Sequence, residues 1–261
     1  MHRQCTADRF KTFCAYGAVG ILRIMADEGF RQRWMGRHPL AARDYFGRKT
    51  LDSGEFKIME GPDSRWDKAC STSCVFDEAS EALLKERVTN KLEAIADELG
   101  IKLFMSGRDY PVHATPHYGF HAETDKAKRD AIFKQVYADP NFKKSTEAIP
   151  GKTITFKYLR IHNGILTLDA TELAPELEKV RSEFDRASRE HGVSPISRDN
   201  IIHISIAQIT DVPEEDRAEI FSKFKGELIK LRHEISSSPI EMKVEHLWNG
   251  SDIMYRQRAE L

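Results

Sequence analysis

The spacing of apolar positions changes along the chain, and each change marks an element. "ACSTSCVF" at residues 69–76 alternates and is rich in small, β-compatible residues, which predicts a strand. Residues 79–99 then carry Leu83, Leu84, Val88, Leu92 and Ile95 at helical spacing, and Gly100 suits the end of that helix. "IKLFMSGRDYPVHATPHYGF" reads as extended chain broken at Gly107 and Pro111, followed by a helix over 125–137. "ITFKYLRIHNGILTLDAT" predicts a hairpin, because Asn163-Gly164 tolerates the positive φ angles of a tight turn. Pro175 fits the first turn of a helix to about residue 191, "DNIIHISIAQIT" is a strand, and a helix is expected over 213–235. Two last strands, "IEMKVEHLW" and "SDIMYRQ", are expected around Asn249-Gly250. The order strand, helix, strand bearing His-x-Ser/Thr, helix, strand thus occurs twice, as a diverged duplication rather than a solenoid.

Residues 1–60 differ from the rest. They hold 11 Lys and Arg against 7 Asp and Glu, whereas the remaining residues hold 29 against 34. The pattern gives a basic helical extension over 1–60, read as a cap on the core, and a second region over 61–261. The apolar run "FCAYGAVGIL" is too short to span a bilayer and lacks a following cleavage site, so it reads as a buried helix and not as a membrane or secretion segment. A length of 261 residues with 40% hydrophobic and 31% charged side chains supports a sizeable core. The net charge of -1 argues against a globally basic nucleic-acid binder. Four cysteines without paired spacing suit a reduced, cytoplasmic protein.

Chemistry concentrates in two places. In a strand, residues i and i+2 share a face, so His203 and Ser205 lie together while Ile204 and Ile206 turn to the core. "VHATPHYGF" repeats the arrangement at His113 and Thr115, 90 residues earlier. Two imidazoles near pKa 6.5 can hold opposite protonation states near neutrality, as base and acid for phosphodiester cleavage. The two hydroxyls can donate to the non-bridging oxygens, where transition-state charge collects.

The pair "HAT" and "HIS", within this repeated layout, resembles the 2H phosphoesterase superfamily, which includes RNA 2',3'-cyclic phosphodiesterases once described as 2'-5' RNA ligases. The resemblance covers about residues 66–258. It implies a bilobal α+β fold in which two pseudo-symmetric antiparallel sheets flank a central groove, with helices outside. It also implies His113 and His203 as the catalytic pair, Thr115 and Ser205 as phosphate ligands, no cofactor or metal, and a nucleotide or short RNA substrate. Pro116 departs from the family pattern, which places an apolar residue there, and favours an edge or irregular strand.

Two rival readings stand beside this one. One is a non-catalytic RNA or nucleotide-binding module using the same groove. The other is a metal-dependent hydrolase using His113 and His117, with His121 and Glu123 nearby; an extended chain would carry His113 roughly 26 Å from His121. Around the groove, Tyr118, Phe120, Phe156, Tyr158 and Trp248 are candidates to stack on bases, and Arg108 or Arg160 to meet a phosphate.

Overall fold

A computed structural model describes residues 69–162, 164–171, 174–195 and 202–250. The basic extension, Asn163 and the expected strand "SDIMYRQ" lie outside the described residues.

The first half of the chain runs β1 (Ala69–Phe76), α1 (Glu78–Leu84), a π-helical turn (Lys85–Thr89), α2 (Asn90–Glu98), β2 (Lys102–Met105), β3 (His113–Phe120), α3 (Lys126–Ala138), α4 (Pro140–Thr146) and β4 (Thr153–His162). The second runs β5 (Ile165–Ala170), α5 (Pro175–Glu190), β6 (Ser194–Pro195), β7 (His203–Asp211), α6 (Arg217–Ser237) and β8 (Ile240–Gly250). Local chemistry explains most boundaries. Asp77 accepts from the Ser80 N–H at the start of α1, Asp125 does the same for Lys128 in α3, and Pro140 opens α4 behind Asp139. The β4–β5 hairpin closes with His162 paired to Ile165, and Gly164 takes φ +77°.

The described strands pair antiparallel, in the order β2-β7-β5-β4-β8-β1-β3-β6, with a further contact between β7 and β3. The class is α+β, and the sheet is two four-stranded halves joined along β4 and β8. Substituting β5 for β1, β6 for β2, β7 for β3 and β8 for β4 maps one half's order onto the other. The edge strand of each half comes from the other half of the chain, so the halves are interlocked. On the sheet's outer side, α1, α2 and α6 pack near β2, β4 and β8, while α5 covers β3 and β6 with α3 and α4 packed against it. Phe76 and Phe156 meet edge-on under the first set, and Phe133, Phe142 and Phe184 are fully buried under the second.

The structure departs from expectation at several points. The last helix starts at Arg217 rather than 213, because Asp216 adopts a left-handed φ of 56° that a helix does not continue through. Asn249-Gly250 is not a turn: both residues continue β8, where the Asn249 side chain accepts a 2.9 Å bond from Thr72 and the Gly250 carbonyl lies 3.0 Å from the Tyr137 hydroxyl. The short elements α4 and β6 went unpredicted, being too brief for a periodic signal. Among the described residues, no helix is long and apolar enough to cross a membrane.

Candidate active site

The two histidine motifs meet at the contact between β3 and β7. Ala114 pairs with Ile204, both fully buried on the helix side. Antiparallel alternation then sets His113 opposite Ser205 and Thr115 opposite His203 on the other face. All four side chains are partly exposed, at the first and third positions of their strands. The pseudo-two-fold relating the halves passes through this contact.

Both motifs carry the same backbone irregularity. On β1 the step from Cys74 to Thr72 spans two residues, but their partners on β3, Ala114 and His117, are three apart. On β5, Leu168 and Leu166 pair with Ile204 and Ala207, again two against three. Each histidine strand therefore has a bulge just after its hydroxyl residue, at Pro116 or Ile206, which re-aims the side chains beyond it. Proline is tolerated there because the ladder is already broken. The displaced carbonyls find other donors: Arg181 Nε at 2.6 Å for Pro116 and the Ser106 N–H at 2.8 Å for Ile206.

The bulge separates His117 from His113. His117 faces α5, where its Nε2 pairs with Asp185 and its ring meets Phe184 edge-on at 5.0 Å. His113 faces the groove. The two rings thus turn to opposite sides of β3 and do not form the ligand pair that the metal-dependent reading needs. His121 accepts from the Glu123 N–H in the loop beyond β3.

His113 has a defined tautomer. Its Nδ1 lies 2.8 Å from the Pro111 carbonyl, which only accepts, so Nδ1 donates and the neutral ring has its lone pair on Nε2. The ring keeps some solvent contact at the groove, yet the protein packed around it lowers its pKa to about 4. The Pro111 bond opposes that shift, and the nearby His203 charge adds to it. His113 is therefore neutral at pH 7. Tyr110 joins the two motifs, donating to the Ser205 carbonyl at 2.7 Å with its ring 6.2 Å from that of His113.

The remaining expected residues divide. Trp248 pairs with Ser73, and Ser73 Oγ lies 3.0 Å from Thr115 Oγ1, so Trp248 is on the groove face. Arg160 and Tyr158 stand opposite Thr167 and Asp169, which stand opposite Ser205 and His203, so they share that face in the other half. Tyr118, opposite Ser71, is also on the groove side but is 94% covered and packs edge-on against Phe120. Two candidates are corrected. Phe156 is fully buried against Phe76, and Arg108 is occupied by Glu93, Asp109 and the Leu103 carbonyl. Sequence reasoning passed over Ser73, Thr167 and Asp169. The i, i+2 rule that located the histidine motifs also picks out Thr167 and Asp169 in "TLD".

No protein-family model matches the chain, and no curated protein does. Among solved structures, the chain is similar to Kluyveromyces marxianus Usb1 at 10% identity and a TM-score of 0.41, over 72% of this chain and 95% of that one. The same protein with uridine monophosphate gives 7% identity and 0.42, over 72% and 96%. A conserved protein of unknown function from Agrobacterium tumefaciens gives 15% and 0.44, over 75% and 89%.

Proposed function

We propose that this protein is a phosphodiesterase of the two-histidine type, acting on a nucleotide or short RNA at a 2',3'-cyclic phosphate or a 2',5' linkage. The observation that carries the reading is the juxtaposition of two His-x-Ser/Thr motifs across one strand contact, with His113 neutral and its lone pair on Nε2. In the reaction, His113 Nε2 takes the proton of the attacking water as its oxygen bonds to phosphorus. The bond from phosphorus to the leaving oxygen breaks, and that oxygen takes a proton from His203. His113 ends as imidazolium and His203 neutral, and exchange with solvent restores both. Thr115 and Ser205 donate to the non-bridging oxygens, where each preorganised donor contributes about 3 kcal/mol to transition-state stabilisation.

On the face that carries the two motifs, Trp248 offers a ring on which a base can stack, whereas Arg160 in the other half is held by Asp169. The two imidazoles account for both proton transfers, so the reading needs no cofactor; the free thiols of Cys70 and Cys74 suit a cytoplasmic location. The test is hydrolysis of 2',3'-cyclic nucleotides and 2',5'- and 3',5'-linked dinucleotides, with excess chelator, by the wild type and His203→Ala. Turnover that survives the chelator and collapses in the variant supports the reading. Binding without turnover across the panel replaces it with a binding module.

A further inference from the structure

The two halves of the groove share a backbone but not their chemistry. Val75 stands opposite His113 in the β1–β3 ladder, and its counterpart opposite His203 in the β5–β7 ladder is Asp169. Trp248 in one half corresponds to Arg160 in the other. One histidine therefore has an apolar neighbour across the strand pair, and the other has a carboxylate.

Asp169 is 1% exposed, and a carboxylate so buried stays ionised only with partners. It has them. Arg160 Nε lies 3.0 Å from Oδ2, and Thr167 Oγ1 donates to Oδ1 at 3.1 Å. Arg160 stands one ladder step away, opposite Thr167, whereas Asp169 is directly opposite His203. Directly opposed residues of an antiparallel pair have Cβ atoms about 5 Å apart, within reach of a carboxylate and an imidazole. A carboxylate accepts about four hydrogen bonds, so holding Arg160 and Thr167 is compatible with a third donor.

We propose that Asp169 is a positioning residue that holds His203 in its protonated form, so that the replacement of this carboxylate by Val75 in the other half divides the acid and base roles between two otherwise equivalent histidines. The catalytic consequence rests on the phosphodiesterase reading; the electrostatic one does not. Among the described residues, the charged or titratable groups facing His203 are Asp169 from β5, Arg160 and Tyr158 from β4, His113 from β3, and Tyr110 from the loop before β3, and Asp169 is the anion among these. Arg160 keeps it ionised and oriented, and the neutral state of His113 removes the like charge that would drive the proton from His203.

The experiment is a histidine-resolved NMR titration of the full chain, wild type against Asp169→Asn, with the pH profile of kcat/KM measured alongside. Loss of the anion lowers the His203 midpoint by a unit or more, a tenfold change in proton affinity, while His113 moves far less. The basic limb of kcat/KM moves down with it and KM stays within about twofold. A His203 midpoint unchanged in the variant overturns the proposal. Should Asp169→Asn leave Arg160 unpaired and the fold compromised, Arg160→Met/Asp169→Asn removes both charges and carries the same titration. Because the titration needs no substrate, it tests the role of Asp169 even in a chain that cleaves nothing, and failure of the phosphodiesterase reading stays distinguishable.

Discussion

The half of the groove holding His113 and the half holding His203 agree in strand order, in the position of the histidine at the start of its strand, in the hydroxyl two residues on, and in the bulge after it. They differ in what surrounds that frame. His113 sits opposite Val75 with Ser73 and Trp248 beyond, and His203 sits opposite Asp169 with Thr167 and Arg160 beyond. In the proposed reaction a repeated backbone supplies two proton-transfer groups in mirrored positions, but a symmetric pair has no preferred direction for the proton. The neighbours supply that direction: an apolar setting favours the neutral ring and a carboxylate the charged one.

The largest expected effect tests that division. His113→Ala and His203→Ala each lower kcat on a nucleotide substrate by roughly 10²- to 10⁴-fold, the usual contribution of a positioned acid or base. With a p-nitrophenyl phosphodiester, whose leaving group departs without a proton, His203→Ala recovers most of its activity and His113→Ala does not. Equal losses with both substrates would erase the distinction between the halves. Next in size, Ser205→Ala loses about 10²- to 10³-fold in kcat with little change in KM if the hydroxyl acts mainly on transition-state charge.

The two halves also differ at an outer edge. Gly119 of β3 corresponds to Ile209 of β7, yet a Cβ built on Gly119 would lie 2.8 Å from Val193 Cγ1 and 3.2 Å from the Ser194 carbonyl oxygen. Gly119→Ala is expected to destabilise the fold by about 1–3 kcal/mol, read as a lowered midpoint in chemical denaturation. Acid stability tests the setting of His113. Folding lowers the His113 pKa to about 4 from an unfolded value near 6.5, so the unfolded chain takes up the proton first as pH falls. The stability that His113 contributes is complete above pH 6.5 and lost down to about pH 4. His113→Gln should flatten the dependence of stability on pH within that window.

Much of this was legible in the sequence because it depends on period. The strand at residues 69–76, the long helices and the turn at Gly164 follow from alternation, helical spacing and a tight-turn dipeptide, and the paired motifs follow from the two-residue repeat of a strand. The features that escaped depend on register between distant segments. Nothing local says that Asp169 stands opposite His203, or that Ser73 reaches Thr115. Pro116 signalled an irregular strand, but only the pairing with β1 reveals a bulge and its consequence, the rotation of His117 toward α5. Asn249-Gly250 misled because a turn-forming dipeptide also fits a strand when its neighbours use its side chain and carbonyl.

The smallest effect probes the finest difference between the halves. Ser73 and Thr167 are counterparts, but Ser73 bonds to Thr115 at 3.0 Å, whereas Thr167 donates to Asp169 at 3.1 Å. On the proposed mechanism each orients a different part of the site: Ser73 the Thr115 hydroxyl proposed to bind phosphate, Thr167 the carboxylate beside the proposed acid. A single neutral hydrogen bond contributes about 0.5–1.5 kcal/mol net, which is a factor of about 2 to 10. Ser73→Ala should therefore lower kcat within that range and leave the pH profile where it was. Thr167→Val should lower it by no more, but shift the basic limb downward, because it loosens the anion that holds the proton on His203. Measuring kcat/KM against pH for both variants separates the two roles, since a loss of packing alone would scale the whole profile and move neither limb.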